Sequence, residues 1–280
     1  MQDVLRRLVG GARLTESEAE SAFERILTGG ADEAQIGAML ALIRSRGATT
    51  DELVGAARAM RRFVTRVPTE GLEEIGVLID TCGTGGAAKT FNVSTVAAII
   101  AAAARGERRV IVAKHGSRSR TGRGSAEVLE RLGVNVAAGT DAQRKCLEEI
   151  GVCFCFAIHH HPAMRYAAGP RASLGFPSIF NLVGPLTNPA MAPRQLMGVY
   201  DAALVEQIAE AHLRLGAERA MVVHGLDGLD ELTTTSANRI ADVRGGTVEI
   251  RTYDAASDGV ARASLEDLQQ ATDLGEAADL

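Results

Sequence analysis

Apolar residues recur at helical spacing through the first 66 residues. In LTESEAESAFERILTGG, the positions Ala19, Ala22, Phe23, Ile26 and Leu27 form one stripe, Thr15 and Glu18 have capping-box spacing, and Gly29-Gly30 is a stop signal. AQIGAMLALIRSRG places Ile36, Met39, Leu40 and Ile43 on one face and ends at Gly47, and Thr49 and Glu52 open a further helix with a second capping box. Val67-Pro68 reads as a linker. From about residue 75 the period changes, and short strand-like runs (VLID, RVIVAKHG, GVNV, VCFCFA, RAMVVHG) alternate with helical segments starting near Ser94, Ser125, Asp141 and Asp201. That alternation predicts an α/β fold with a mainly parallel sheet. Residues 163–190 are dense in Gly, Pro and Asn and read as helical segments and loops without a strand. After IADVRGGTVEI, the tail SLEDLQQATDLGEAADL offers little apolar cover for a sheet that needs it on both faces.

At 46% hydrophobic and only 4% aromatic, the core must be built from Ala, Leu, Ile and Val. A net charge of -5 argues against a general nucleic-acid binder. Cys82, Cys146, Cys153 and Cys155 lack zinc spacing. Cys153 and Cys155, two apart in a strand, face one side of the sheet and read as small buried thiols in a reducing compartment. MQDVLRRLVGGARL has too short an apolar run for a signal peptide, and no run reaches the roughly 18 residues of a membrane span, so a soluble cytoplasmic protein is expected.

The chemistry concentrates in loops that follow strands. In a parallel sheet the strand C-termini share one rim, where ligands bind. DTCGTGGAAKTFNVST joins a strand to a helix through Gly83, Gly85 and Gly86, with Asn92, Ser94, Thr95 and Lys89 close behind. Glycine lets backbone approach a ligand, and a helix N-terminus presents free N–H groups to phosphate. It is neither a Walker A loop nor a GxGxxG turn, so alone it is equally a tight strand–helix turn. AKHGSRSRTGRGSAEVLERLG follows the next strand with Lys114, His115, Ser117, Arg118, Ser119, Arg120 and Arg123, and is expected to face the first loop. HGLDGLDELTTTS brings adjacent carboxylates, Asp230 and Glu231, to the same rim; such hard oxygens suit Mg²⁺. The run His159-His160-His161 cannot converge on one metal, and a rim loop is the simpler reading.

Together DTCGTGG…TFNVST, AKHGSRS…GSAEVLERLG, HHPAM, FNLVGPLTNPA and HGLDGLDE resemble anthranilate phosphoribosyltransferase of tryptophan biosynthesis, over nearly the whole chain. The resemblance implies a small helical domain (1–66, joined by helices from about 163–190), a larger α/β domain (67–280), and a hinged cleft between them. It implies transfer of phosphoribose from phosphoribosyl pyrophosphate to the anthranilate amine with Mg²⁺, in a homodimer formed through the helical domain. By motif, Gly83, Gly86, Thr90, Asn92, Ser94, Thr95, Lys114 and Ser125 hold phosphoribosyl pyrophosphate, and Ser94, Asp230 and Glu231 hold the metal. Gly83, His115, Ser117, His160 and Arg171 line the path of anthranilate. No residue is assigned as acid or base, because the aryl amine is already neutral at pH 7.

The chain departs from the pattern in three places. Ala87 stands where the family usually has Asp, in a loop one residue shorter, where Lys89 is expected to compensate. Ser117 replaces the usual Asn after KHG, again in a loop one residue shorter. The chain also stops well before the family's usual C-terminus, where a further strand and helices complete the sheet domain. A pyrimidine nucleoside phosphorylase shares the architecture but carries a KxSTGG-like loop. Two rivals share the fold: a transferase with another aromatic acceptor, and a noncatalytic nucleic-acid-binding relative. The noncatalytic relative is expected to carry a basic groove and lack the Asp230-Glu231 pair.

Overall fold

The computed structural model describes residues 1–87, 90–104, 106–119, 122–268 and 271–279. Ala88, Lys89 and Arg120 of the two rim loops lie outside the described residues.

Four helices open the chain: α1 (Gln2–Val9), α2 (Glu16–Leu27), α3 (Glu33–Arg46) and α4 (Thr50–Arg62). Both expected capping boxes form, and Asp32 with Gln35 makes a third on α3. The apolar stripes of α2–α4 are buried as their spacing requires. Gly55 lets α2 and α4 approach closely, since a Cβ there would stand 2.3 Å from Glu16 O. Phe23 meets Phe180 edge to face at 5.4 Å between centroids.

The chain continues through α5 (Leu72–Ile75), β1 (Gly76–Gly83), α6 (Val93–Ala103), β2 (Arg109–Gly116), α7 (Ser125–Arg131), α8 (Thr140–Glu149), β3 (Val152–Phe156) and α9 (Ala157–His160). Then come α10 (Arg165–Leu174), α11 (Ile179–Val183), β4 (Arg194–Gly198), α12 (Leu204–Arg214), β5 (Arg219–Gly225), β6 (Asn238–Arg244), β7 (Thr247–Tyr253) and α13 (Leu274–Asp279). The sheet has seven strands in the order β3-β2-β1-β4-β5-β6-β7. β1 to β5 are parallel and β6 and β7 antiparallel, so the mainly parallel α/β sheet with a helical N-terminal unit is observed. One apolar core runs from the helical unit through α10, α11 and α12 to one face of β4–β6.

Two expectations fail. GVNV is not a strand: Gly133 turns left-handed (φ 85°), Val134 is exposed, and only Val136 packs, under Phe154 and Phe156. RQLMG, not among the strands read from the sequence, is β4 at the sheet centre; its Gln195 is buried against Asp80, far away in sequence, and the Pro185 carbonyl. Cys153 and Cys155 do face one side, their sulfurs 3.7 Å apart. As the tail suggested, β7 is largely exposed and α13 packs on α7.

Candidate active site

The ends of β1, β2, β4 and β5 form one rim, because these strands are adjacent and parallel. The loop after β1 carries Gly83, Gly86, Thr90 and Asn92 into α6, whose first turn holds Ser94 and Thr95. Gly86 needs its glycine, at φ 106° and against the Tyr200 side chain. Asn92 donates to Arg123 O at 3.3 Å, so the first two loops do face each other. Thr95 Oγ1 is buried without a hydrogen-bond partner among the described residues.

Lys114, near the end of β2, is buried; its Nζ donates to Thr81 O at 2.8 Å and to Ser94 Oγ at 3.1 Å. Burial pushes its pKa down, opposed chiefly by the Asp80 carboxylate. Side chains alternate along a strand, so the adjacent His115 lies on the other face of the sheet. Its ring nitrogen is 3.3 Å from that of His161. Burial holds both imidazoles in the neutral form, His161 at about 4 and His115 well below the ordinary value. Ser125, at the start of α7, is drawn against the end of β2: a Cβ on Gly116 would meet its Oγ at 2.5 Å. Ser117 is exposed on the second loop.

The loop after β5 is built by Asp227, which accepts from Thr235 Oγ1 and Leu229 N, and by Asn238, which clamps Thr233. It sets Asp230 over the other loops: Asp230 O would lie 1.7 Å from a Cβ on Gly198, and Asp230 Oδ2 3.6 Å from one on Gly83. Burial, then the Asp230 charge, lifts the neighbouring Glu231 to about 8. Two half-buried, oxygen-rich side chains beside each other form a donor set that a hard divalent cation satisfies. Among the described residues no group of three or more His, Cys, Asp or Glu side chains could hold a metal.

His160, which the resemblance places on the anthranilate path, is engaged by protein groups at both ring nitrogens. Its Nδ1 is 2.7 Å from Thr65 O and its Nε2 2.9 Å from Gln143 Nε2, so it ties the linker to α8, and His161 faces His115 instead. Arg171 on α10 lies over the Phe180 ring at 5.4 Å and makes no ion pair with a described carboxylate. Burial lowers its pKa. Sequence reasoning missed the polar layer beneath the rim. Asp80 accepts from His115 N and Gln195 Nε2, Gln195 also donates to Pro185 O, and Asn188 donates to Ala113 O. The aspartate closing the apolar run VLID was the available signal. Tyr200 was missed too; its OH accepts from Arg44 on α3 at 3.2 Å.

Two family models match the chain: the helical-bundle domain of a glycosyl transferase family over residues 2–64, and its α/β domain over residues 76–280. An anthranilate phosphoribosyltransferase of Rubrobacter xylanophilus is 51% identical over 252 residues, 89% of this chain and 71% of its own length. The chain belongs to the anthranilate phosphoribosyltransferase family. A member from Moorella thermoacetica is 46% identical over 98% of this chain and 79% of its own. The crystal structure of the Thermus thermophilus family member superposes with a TM-score of 0.86 at 38% identity, covering 99% of this chain and 80% of that one. The Saccharomyces cerevisiae anthranilate phosphoribosyltransferase, in complex with PRPP and Mg, shares the fold at a TM-score of 0.84 and 23% identity, over 98% of this chain and 77% of that one. No described helix is long and apolar enough to cross a membrane.

Proposed function

We propose that the rim transfers phosphoribose from phosphoribosyl pyrophosphate to the amine of anthranilate, releasing pyrophosphate, as a cytoplasmic step of tryptophan biosynthesis. The observation that carries this reading is the half-buried Asp230-Glu231 pair on the same rim as the Lys114–Ser94 contact, in a chain of this family. Asp230, Glu231 and Ser94 would hold Mg²⁺, with water and diphosphate oxygens completing its shell. When bound, the ion offsets negative charge that develops on the leaving group.

The protein's own groups do the rest. The glycine loop and the start of α6 offer backbone N–H groups to the diphosphate, and Lys114 adds a fixed positive charge. Thr90, Asn92, Thr95 and Ser125 supply hydroxyl and amide partners for the sugar phosphate. Arg171, without a carboxylate partner among the described residues, pairs with the anthranilate carboxylate. His115 and His161, both neutral, flank the amine and can exchange a hydrogen bond without adding charge. Attack by a neutral amine needs no strong base, so positioning supplies much of the rate. A homodimer through the helical unit belongs to this reading and is checked by sedimentation.

Anthranilate fluorescence, followed with phosphoribosyl pyrophosphate and Mg²⁺, tests the assignment. The expected result is a loss of signal that requires all three and disappears in Asp230→Ala/Glu231→Ala. No loss in a folded chain that still binds the sugar diphosphate would assign another aromatic acceptor, in line with the Ser117 departure. No binding would favour a noncatalytic protein of the same fold.

A further inference from the structure

Asp80 is wholly buried near the end of β1, on the sheet face opposite α6. Its Oδ1 accepts the His115 N–H at 2.9 Å and its Oδ2 accepts from Gln195 Nε2 at 2.7 Å. Both oxygens therefore face N–H donors, which oppose but do not cancel the rise in pKa that burial imposes on Asp80. The peptide it holds joins Lys114 to His115, whose side chains leave on opposite faces, one toward Ser94 and the other toward His161. Fixing that peptide fixes both. Through Gln195, which also donates to Pro185 O at 2.8 Å, the same carboxylate ties in β4 and the turn at residues 184–187. The Lys114 ammonium donates to a carbonyl and a hydroxyl, neither of them charged. Among the surrounding groups, Asp80 opposes the lowering of its pKa most.

We propose that Asp80 is a positioning residue for the sugar-diphosphate half of the site, fixing the Lys114–His115 peptide and so the strand position from which Lys114 reaches Ser94. This rests on the function proposed above. Asp80→Asn keeps the shape, and the Gln195 amide can rotate to meet it. The test is a cycle of wild type, Asp80→Asn, Lys114→Met and the double variant. Each is titrated calorimetrically with phosphoribosyl pyrophosphate in Mg²⁺ and melted without ligand.

Asp80→Asn is expected to weaken binding about tenfold or more in the wild-type background but about twofold or less beside Lys114→Met. The double variant is expected to melt above the sum of the single losses. Unchanged binding in Asp80→Asn, or an equal loss in both backgrounds, overturns the proposal. If Asp80→Asn alone does not fold, folding of the double variant supports the coupling, and its failure to fold overturns it. A wild-type chain that binds no sugar diphosphate fails the functional reading, whereas the melting cycle still decides the coupling.

Discussion

Glu52 in the helical unit is fully buried and Glu231 on the rim is half-buried, and their surroundings treat them in opposite ways. Burial alone would raise the pKa of Glu52, but Arg46, Leu14 N and Thr49 N all donate to its oxygens and hold it below the ordinary value. Glu231 is also raised by burial, its closest charge is another carboxylate, and it stands at about 8. The first is a finished piece of structure. The second is a group that a cation would complete, and that contrast separates scaffold from site within one chain.

The sharpest way to break the contrast is to remove the rim pair. Asp230→Ala/Glu231→Ala is expected to lower kcat/KM by about 10³-fold or more while the melting temperature holds or rises, because burial and the neighbouring carboxylate already disfavour the charged form of Glu231. Steady-state kinetics beside a thermal melt check both halves. The pH dependence carries the same sign. The folded pKa of Glu231 lies above its unfolded value, so the stability from its protonated form is complete below the unfolded carboxylate range and is lost as pH rises toward about 8. Without divalent cation, the melting temperature of the wild type should fall over that window, and Glu231→Gln should flatten the fall.

Glu52→Gln should do the reverse. It replaces a carboxylate held by Arg46 and two backbone N–H groups, and is expected to cost about 3 kcal/mol of folding stability with kcat/KM unchanged below the melt. The pKa of Glu52 is lowered on folding, so its contribution is present above the unfolded carboxylate pKa and lost as pH falls through the folded value. Denaturant titrations at neutral and acidic pH should show the two proteins converging in acid. A neutral-pH loss under about 1 kcal/mol would mean the Glu52 cluster is ornamental.

The same contrast explains what was legible beforehand. The helical unit follows local rules, so Thr15 with Glu18, Thr49 with Glu52 and the stripe from Ile36 to Ile43 could be read from spacing alone. The rim loops were legible because glycines, a lysine and adjacent acids cluster after strands. Gln195 was opaque, because its burial depends on Asp80, far away in sequence. GVNV has strand composition, but the chain turns at Gly133 and only Val136 finds a core. Among three consecutive histidines, spacing could not choose between His160, held by Thr65 and Gln143, and His161, which meets His115.

Arg171 offers an intermediate effect. It has no carboxylate partner among the described residues, and burial lowers its pKa, so removing its charge should cost the fold little. Arg171→Met keeps apolar contact with Phe180 and is expected to raise the KM for anthranilate about 30-fold, with the KM for phosphoribosyl pyrophosphate within about twofold of wild type. Equal changes in both constants would place Arg171 outside the acceptor half.

The smallest expected effect comes from an acid that is neither buried nor functional. Asp32 accepts from Gln35 N at 2.8 Å, and Gln35 Oε1 reaches back to Asp32 N at 3.4 Å, closing the capping box of α3. Its carboxylate meets the free N–H groups of a helix start, so its whole role is local. Asp32→Ala should cost about 1 kcal/mol, a melting shift of about 2–4 °C in a domain of this size, with unchanged kinetic constants. The cap lies far from the rim in the hydrogen-bond network, so its loss should add to that of Glu231→Gln in a double variant. A measurable change in the KM of either substrate would show that α3 transmits to the rim, for which Arg44 and its bond to Tyr200 provide the direct route.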